Sequence, residues 1–325
     1  MNSPLLEILD LQTYFFSERG VAKAVDHVGF SVRNAQFVGV VGESGCGKTV
    51  TALSVMRLIQ NPPGRIVGGE IRFDGRNLLA LSEDAMRSIR GNTISMVFQE
   101  PMTSLNPVFR VQDQISEVIQ EHRKVSRKEA LERTRDLLDQ VRIPSPEIRM
   151  KDYPHQMSGG MRQRVMIAMA IACEPRLIIA DEPTTALDVT IQAQILELLQ
   201  DLRETRRCAV MLITHDLGVV AEVAEQVIVM YTGRVVEEAP VLELFENPLH
   251  PYTQGLLRSI PSSAAGRGKK RLDAVPGVVP SLLDLPPGCK FNTRCPHAFA
   301  PCFTDPEPEL LHVPGGRTVR CRLYE

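Results

Sequence analysis

Apolar residues along the chain fall into short continuous runs, and helical stretches separate these runs. Residues 127–141 and 190–203 repeat apolar side chains at the spacing of an amphipathic helix. The apolar runs are rich in β-branched residues, which favours buried strands. The predicted strands are Phe37–Val41, Ile94–Phe98, Leu177–Ala180 and Val210–Thr214. This alternation predicts an α/β fold in which helices cover a mostly parallel sheet.

Two regions depart from this pattern. Between the second and third runs, residues 100–160 contain helix and loop only, which predicts a helical insertion of about residues 100–165. After residue 258 the composition changes to a small, polar, basic linker, SIPSSAAGRGKKR, and then to a Pro- and Cys-rich tail. We therefore expect a large α/β domain over residues 1–258 and a small irregular extension over residues 259–325.

Composition and charge narrow the class of protein. The 325 residues contain 37 Lys and Arg against 39 Asp and Glu, a balance that argues against nucleic acid as the main partner. The start, MNSPLLEILD, lacks the basic and apolar regions of a signal peptide, and no apolar run reaches the roughly 18 residues that span a bilayer. We expect membrane association only through a partner. Seven cysteines without an export signal indicate reduced thiols or metal ligands.

The segment FVGVVGESGCGKT carries the clearest chemistry of the chain. It runs from a predicted strand through a glycine-rich turn into a helix, the context of a P-loop rather than of a surface turn. Backbone amides of such a loop point at phosphate oxygens, Lys48 reaches the β- and γ-phosphates, and Thr49 binds Mg²⁺. We expect Cys46 to be a small filler. The predicted ATP-binding residues here are Gly42, Glu43, Ser44, Gly45, Cys46, Gly47, Lys48 and Thr49.

Polar side chains at the carboxyl ends of the other strands are candidates for catalysis, because ligands bind at that edge of an open α/β sheet. Asp181 is predicted to hold Mg²⁺ and Glu182 to act as the general base for the attacking water. His215 would contact the γ-phosphate and fix Glu182, and Gln99 would touch Mg²⁺ or the water. Taken singly, each has an ordinary structural explanation; their shared placement favours a catalytic set.

A second glycine motif, SGGMRQR, begins where a helix is predicted to start, at Ser158. The amino end of a helix attracts anions, so this motif predicts a second phosphate-binding site. The chain has no internal repeat, so it holds one P-loop nucleotide site. We infer that a nucleotide is clamped between two chains, each of which donates one motif.

These features in this order resemble the nucleotide-binding subunits of ATP-binding-cassette (ABC) transporters over residues 1 to about 260. The segments that carry the resemblance are the P-loop 42–49, Gln99, MSGGM at 157–161, LIIADE at 177–182, ALD at 186–188 and His215. The resemblance implies a RecA-like P-loop core with an N-terminal antiparallel β subdomain and an inserted helical subdomain. It also implies an ATPase that uses ATP and Mg²⁺.

By the same resemblance, Ser158, Gly159 and Gly160 serve the nucleotide held by the opposing subunit, and Asp188 communicates across the dimer. Many family members have LSGGQ where this chain has MSGGM. We expect function to survive, because the anion contacts depend on Ser158 and on the backbone. An aromatic side chain of the first strands stacks on adenine in this family; Tyr14 is our candidate, and the alternatives are Phe15 and Phe16.

A narrower resemblance links the chain to dipeptide and oligopeptide permease ATPases, with the D-type dipeptide subunit as the nearest match. The segments 99–115, 158–175, 181–195 and 247–261 carry it. It implies a second, paralogous ATPase as partner in a heterodimer, two transmembrane permease subunits and, indirectly, an extracytoplasmic solute-binding protein. It implies a location at the cytoplasmic face of the inner membrane, and it places residues 100–115 against the coupling helices of the membrane subunits.

The transported solute stays open at this point. Peptides are the first choice, and nickel chelates, glutathione and peptide antibiotics are alternatives within the same family. A soluble cassette ATPase that acts on DNA or ribosomes would share the nucleotide motifs. It should add a coiled coil, zinc modules, a second cassette or a basic face, and the sequence shows none of these.

Four cysteines, Cys289, Cys295, Cys302 and Cys321, lie in the tail, which has too few apolar residues for a core of its own. Zinc sites usually contain tight C-x₂₋₄-C pairs, and this tail has none. The loose spacing and the proline after Cys295 favour an iron–sulfur cluster, with zinc as the alternative. The family resemblance implies a 4Fe-4S cluster. No feature of the sequence places the tail near the nucleotide, so we expect a structural or regulatory role.

Overall fold

Two β-sheets organise the computed structural model, which describes residues 3–100, 104–184, 188–260 and 275–325. An N-terminal antiparallel sheet has the strand order β2-β1-β4-β5. Its strands are β1 Leu6–Ser17, β2 Gly20–Val32, β4 Gly64–Phe73 and β5 Arg76–Asn77. The antiparallel β subdomain expected from the resemblance is thus confirmed.

The second sheet is the core of the protein and has the order β11-β12-β10-β9-β3-β8-β7-β6. Strands β9, β3, β8, β7 and β6 run parallel, and β10, β12 and β11 add antiparallel pairs at one edge. The strands are β3 Phe37–Val41, β6 Ile94–Val97, β7 Leu177–Asp181, β8 Ala209–Thr214, β9 Gln226–Tyr231, β10 Arg234–Pro240, β11 Leu311–Val313 and β12 Arg317–Val319. All four strands predicted from apolar runs lie in the parallel part, which confirms them to within one residue at each end.

Helices cover this sheet and form the predicted insertion between β6 and β7. The helices are α1 Lys48–Val55, α2 Glu83–Ile89, α3 Val111–Arg123, α4 Arg127–Gln140, α5 Pro146–Arg149, α6 Gly159–Ile171, α7 Val189–Arg206, α8 Leu217–Val223, α9 Val241–Glu246 and α10 Pro251–Arg258. Within the described ranges, no helix is long and apolar enough to cross a bilayer. The domain boundary at residue 258 stays a prediction.

The C-terminal extension is more ordered than the sequence suggested. Strand β12 pairs with β10, so the core sheet continues into the extension. Arg317, at the start of β12, is 4% exposed at its side chain and lies 3.1 Å from the buried Glu237 carboxylate of β10. The extension is therefore attached to the core sheet by backbone pairing and by a buried ion pair. Two short strands with irregular flanks leave almost no periodic pattern, which is why the sequence did not predict them.

Candidate active site

The P-loop lies between β3 and α1, as predicted. Gly47 caps α1 with a backbone φ of 103°, a conformation that residues with a Cβ rarely adopt. A Cβ on Gly47 would also lie 2.2 Å from the carbonyl oxygen of Ala24, so only glycine fits between the loop and β2. The loop thereby brings backbone amides close together at the amino end of α1.

Lys48 is 5% exposed and its ammonium group lies against the loop itself. Its Nζ donates to the carbonyl oxygens of Gly42, at 2.7 Å, and Glu43, at 3.1 Å. The positive charge is thus held inside the loop, at the place where the phosphates of a nucleotide would enter. Lys48 is positioned to exchange these carbonyl contacts for phosphate oxygens.

Thr49 and Asp181 come together from α1 and β7. The Thr49 hydroxyl donates to Asp181 Oδ1 at 3.1 Å, and Asp181 is 2% exposed. Burial raises the pKa of Asp181 to about 6, against the opposing effect of the Thr49 hydrogen bond. A hydroxyl and a carboxylate are oxygen ligands of the kind Mg²⁺ prefers, and a cation would favour the ionised carboxylate, so the pair fits a magnesium ion.

Glu182 lies between the other two predicted residues. Gln99 Nε2 donates to Glu182 Oε2 at 3.0 Å, and His215 Nδ1 lies 3.3 Å from Glu182 Oε1. Glu182 has φ of 45°, in the left-handed region, and its amide donates to the carbonyl oxygen of Ile213 on β8. The three side chains come from the ends of β6, β7 and β8, and a chain distance of 83 residues separates Gln99 from Glu182. The structure brings together the whole catalytic set predicted from the sequence.

A pocket of about 350 Å³ lies beside these residues, and we call it the P-loop pocket. Its lining combines the loop, the carboxyl edge of the core sheet, the N-terminal sheet and the extension. The lining residues are Phe15, Ala22, Ala24, Ser44, Gly45, Cys46, Gly47, Lys48, Thr49, Val50, Gln99, Glu182 and Leu282. Leu282 belongs to the extension and was not predicted. The extension thus contributes to the wall of this pocket, whereas none of its four cysteines lines it.

Tyr14 does not line the P-loop pocket, although we expected it to stack on adenine. Its hydroxyl donates to Asp26 Oδ1 at 2.6 Å and also lies 3.1 Å from Gln12 Oε1. Burial and the contact with Asp26 raise the pKa of Tyr14 above its ordinary value. The Tyr14 hydroxyl thus takes part in a polar contact within the N-terminal sheet. Phe15, the alternative candidate for stacking on adenine, lies in the wall of the P-loop pocket.

Phe16, the third aromatic candidate, is 41% exposed, and the Arg65 guanidinium lies 5.1 Å from its ring centre. It also does not line the P-loop pocket.

Cys46 is 1% exposed, and burial raises the pKa of its thiol. A protonated, buried thiol is unreactive, which agrees with the filler role expected for Cys46.

A second pocket of about 440 Å³ surrounds the start of α6, and we call it the signature pocket. Its lining residues are Arg142, Pro144, Ser158, Gly159, Gly160, Met161, Arg164, Asp188 and Ile191. The Ser158 hydroxyl caps α6 by accepting from the Met161 amide at 3.3 Å. None of these residues lines the P-loop pocket. The two glycine motifs thus form separate sites on one chain.

Asp188 lies beside the glycine motif in the signature pocket. Its Oδ1 accepts from the Ile191 amide at 2.9 Å, so it caps α7. A Cβ on Gly160 would lie 3.1 Å from the Ile191 side chain, so glycine permits the close approach of α6 and α7. The other two residues of the predicted ALD loop, at 186 and 187, lie outside the described residues.

The extension also contacts the P-loop through Arg294. Its guanidinium binds the Glu43 carboxylate in a bidentate manner, with Nη1–Oε2 and Nη2–Oε1 distances of 2.6 and 3.0 Å. Sequence reasoning missed this residue because a single arginine in an irregular segment carries no local signal. The residues next to Arg294 in the sequence also give no indication of its partner, Glu43, which lies 251 residues away in the chain.

The four cysteines of the tail are free thiols, and three of them lie close enough to the fourth, Cys289, to affect its pKa. Burial, and then the neighbouring thiols of Cys302, Cys321 and Cys295, raise the pKa of Cys289 to about 11. The Cys289 amide donates to the Cys302 carbonyl oxygen at 3.0 Å. Among the described residues, however, no group of three or more His, Cys, Asp or Glu side chains is arranged to hold a metal ion. The predicted metal site therefore gains no support from the side-chain positions.

Comparisons with known proteins agree with this geometry. A family described as "ABC transporter" matches residues 25–185, and one described as "Oligopeptide/dipeptide transporter, C-terminal region" matches residues 236–302. A probable peptide ABC transporter ATP-binding protein of Sinorhizobium fredii is 55% identical over 98% of this chain and 94% of its own length. The dipeptide transport ATP-binding protein DppD of Haemophilus influenzae is 50% identical over 98% of this chain and 94% of its own.

A solved structure shares the fold of the core. It is a dimer of an ATP-binding cassette in a post-hydrolysis state, bound to ADP and phosphate. It aligns with a TM-score of 0.66 and 26% identity over 73% of this chain and 98% of its own length.

Proposed function

The chain belongs to the family of ABC transporter ATP-binding proteins, and we propose that its ATP hydrolysis energises the import of dipeptides or oligopeptides. The observation that carries the proposal is the meeting of Lys48, Thr49, Asp181 and Glu182 at the P-loop pocket, on a chain half identical to peptide-transport ATPase subunits. The oligopeptide/dipeptide C-terminal match supports a peptide as the solute.

In the P-loop pocket, the loop amides and Lys48 bind the phosphates of ATP. Thr49 and Asp181 would hold Mg²⁺, which would supply positive charge to stabilise the phosphates. Glu182 accepts the proton of the attacking water, and His215 and Gln99 fix the Glu182 carboxylate through their contacts at 3.3 and 3.0 Å. Positioning and charge stabilisation thus account for the catalysis.

Phe15 stacks on the adenine ring, in place of Tyr14. Support comes from the position of Phe15 in the wall of the P-loop pocket and from the engagement of Tyr14 with Asp26. Leu282 of the extension provides a second apolar contact in the same wall. The adenine site therefore combines the N-terminal sheet with the extension.

The signature pocket serves the nucleotide of a second ATPase subunit. Ser158, Gly159 and Gly160 at the start of α6 meet its γ-phosphate, and Asp188 communicates across the interface. The dimeric cassette with a similar fold supports this arrangement. The partner is a paralogous subunit in a heterodimer, and ATP draws the two subunits together head to tail.

Closure of the dimer drives the transmembrane pair of permease subunits, which receive solute from an extracytoplasmic binding protein. The chain then sits at the cytoplasmic face of the inner membrane, attached through those subunits. Two exposed apolar side chains, Val108 at 72% and Phe109 at 53%, lie in the segment that the resemblance places against the coupling helices. Residues 101–103 of that segment lie outside the described residues.

The four cysteines of the extension hold a 4Fe-4S cluster in this proposal, with zinc as the alternative. The mutual effect of the thiols on the pKa of Cys289 supports a common site. The lack of a metal-binding group among the described residues counts against a single ion. Iron and sulfide analysis with visible spectroscopy after anaerobic purification tests this proposal, and a colourless protein with stoichiometric zinc would overturn it.

The transport function is tested with the complete transporter in vesicles, by measuring peptide uptake and ATP hydrolysis together. Val108→Ser with Phe109→Ser should abolish most uptake and leave basal hydrolysis intact, because neither side chain lines the P-loop pocket. Leu242→Ser, which removes a side chain of equal exposure on α9, 72%, is the matched control and should transport normally. Equal loss of uptake and basal hydrolysis would contradict the coupling assignment, and failure of the unmodified complex to take up any peptide would contradict the solute.

A further inference from the structure

The bidentate contact between Arg294 and Glu43 joins the C-terminal extension to the P-loop. We propose that Arg294 is a positioning residue for ATP binding, which holds the P-loop in its binding conformation from within the same chain. The inference rests on the proposed use of the P-loop for ATP, and it assigns the extension a part in the nucleotide site. The Arg294 side chain is 2% exposed and that of Glu43 is 30% exposed.

Contacts other than the one with Glu43 also hold the Arg294 side chain in place. Its Nε donates to the Pro276 carbonyl oxygen at 2.8 Å, and its Nη2 also lies 3.3 Å from the carbonyl oxygen of Val275. The rings of Tyr231 and Phe291 have their centres 5.8 and 5.9 Å from the guanidinium carbon. These contacts leave the guanidinium little freedom, so it acts as a preorganised fork rather than as a mobile surface charge.

Glu43 is held at three places. Its carboxylate accepts from Arg294, its amide donates to the Tyr252 hydroxyl at 2.8 Å, and its carbonyl oxygen accepts from Lys48 at 3.1 Å. Tyr252 itself packs against Phe291 of the extension, with ring centres 5.4 Å apart. The extension therefore contacts the first turn of the loop both directly, through Arg294, and through Tyr252.

The energetics favour an effect on nucleotide binding. A P-loop binds phosphate through backbone amides, whose directions depend on the conformation of the whole loop. Water is largely excluded from the Arg294 side of the pair, so the contact is stronger than a surface ion pair. Loosening Glu43 would change the directions of these amides and should therefore weaken MgATP binding measurably.

A purely structural role for Arg294 makes a different prediction, and Arg317 separates the two. Arg317 forms another buried ion pair between extension and core, at 3.1 Å from Glu237, and donates to the Asn247 carbonyl oxygen at 2.6 Å. Neither Arg317 nor Glu237 lines the P-loop pocket. Substitution of Arg317 should loosen the extension without touching Glu43.

The test measures the dissociation constant of MgATP and the melting temperature on the full-length chain. Arg294→Met should weaken MgATP binding by about tenfold, as expected for a lost charge-assisted contact. Arg317→Met, the matched control, should lower the melting temperature and leave MgATP affinity within about twofold. Arg294→Lys keeps the charge and loses the fork, so it should bind MgATP more weakly than wild type even if Arg294→Met does not fold.

A double-mutant cycle assigns the effect to the pair. Glu43→Gln alone should weaken MgATP binding about as much as Arg294→Lys. The double variant Glu43→Gln with Arg294→Lys should have the same MgATP affinity as whichever single variant binds less tightly. Additive losses, unchanged affinity in Arg294→Lys, or an equal loss in Arg317→Met would each overturn the proposal.

Lys48→Ala distinguishes failure of this inference from failure of the proposed function. If Lys48→Ala abolishes MgATP binding while Arg294→Lys does not change it, the P-loop assignment stands and only the positioning role is wrong. If Lys48→Ala binds MgATP like wild type, the nucleotide site lies elsewhere and both proposals fail.

Discussion

The P-loop pocket and the signature pocket are built from similar parts but differ in completeness. The P-loop pocket contains a buried cation, Lys48, together with the carboxylate Glu182, and Gln99 contacts that carboxylate directly. In the signature pocket the one acidic residue, Asp188, caps a helix, and the other charged lining residues are Arg142 and Arg164. We interpret the first pocket as a site with groups for binding and for proton transfer, and the second, whose one carboxylate serves as a helix cap, as a site for an anion.

Under the proposed function, this difference means that one chain is not sufficient for hydrolysis. A pocket with donors and no general base can bind the end of a triphosphate but cannot hydrolyse it. In the proposed mechanism the P-loop pocket supplies the base, Glu182, and a second chain supplies the donors of its signature motif for the γ-phosphate. Substitutions in the two pockets should therefore have different effects on binding and on turnover.

The largest expected effect separates these roles. Lys48→Ala should weaken MgATP binding by the isolated chain by about a hundredfold or more, because a desolvated charge that meets the phosphates is lost. Gly159→Asp should leave that binding unchanged and reduce hydrolysis by the assembled dimer by a similar factor, because it places a negative charge against the partner's phosphate. Titration of MgATP and steady-state hydrolysis measure the two quantities.

Position 159 suits this test because a Cβ there meets no atom within 4 Å, so the variant chain should fold. Gly159→Ser adds bulk without charge and is the control for charge, so it should reduce hydrolysis much less than Gly159→Asp does. Weak MgATP binding by the isolated Gly159→Asp chain would contradict the separation of the two pockets.

A smaller effect concerns the adenine end of the P-loop pocket. Phe15→Ala should weaken MgATP binding by about tenfold, because stacking on an aromatic ring contributes roughly 1–3 kcal/mol per base. Tyr14→Phe is the control and should bind normally, since the Tyr14 hydroxyl contacts Asp26 rather than the pocket. Comparison of ATP with inorganic triphosphate shows whether the loss is at the adenine end. The affinity for triphosphate should be equal in wild type, Phe15→Ala and Tyr14→Phe. The reverse ranking of the two variants would restore Tyr14 as the stacking residue.

The smallest effect concerns the support of the P-loop pocket by α10. His250 caps that helix by accepting from the Tyr252 amide at 3.0 Å, and burial lowers the pKa of His250 to about 3. The unfolded chain binds a proton near its ordinary pKa of 6.5, whereas the folded chain does not, so stability is lost as pH falls below that value. His250→Asn keeps a capping side chain and removes the titration.

Urea unfolding measures this difference. Between about pH 6.5 and 5.5, wild type should lose about 1 kcal/mol more of its free energy of unfolding than His250→Asn. Equal losses would show that the imidazole is already protonated in the folded protein, or that it does not remain buried.

Much of this arrangement could be predicted from local sequence. Continuous β-branched runs identified β3, β6, β7 and β8, and a parallel sheet necessarily brings the residues after such strands to one edge. That geometry is why Gln99, Asp181, Glu182 and His215 converge as predicted. The Ser158 cap was likewise predictable, because a serine before two glycines and a helical pattern marks a helix start.

The remaining features depend on geometry that no local pattern specifies. Strand β1 changes register with β2 between Thr13 and Tyr14, and such irregularities alter which side chains face each way. Choosing Phe15 over Tyr14 therefore required the fold. The Arg294–Glu43 contact depends on how an irregular extension folds back over the core, which its weak periodicity could not indicate.

ATP-dependent pairing of two subunits can be measured most directly by the molar mass of a hydrolysis-deficient variant. Glu182→Gln should bind MgATP normally, because Gln99, Lys48 and the loop amides remain, and it should hydrolyse it slower by orders of magnitude. In light scattering with saturating MgATP and the paralogous ATPase subunit, the account predicts one complex with the summed mass of the two chains. Separate monomers under those conditions would contradict the claim that one nucleotide joins the P-loop pocket of one chain to the signature pocket of another.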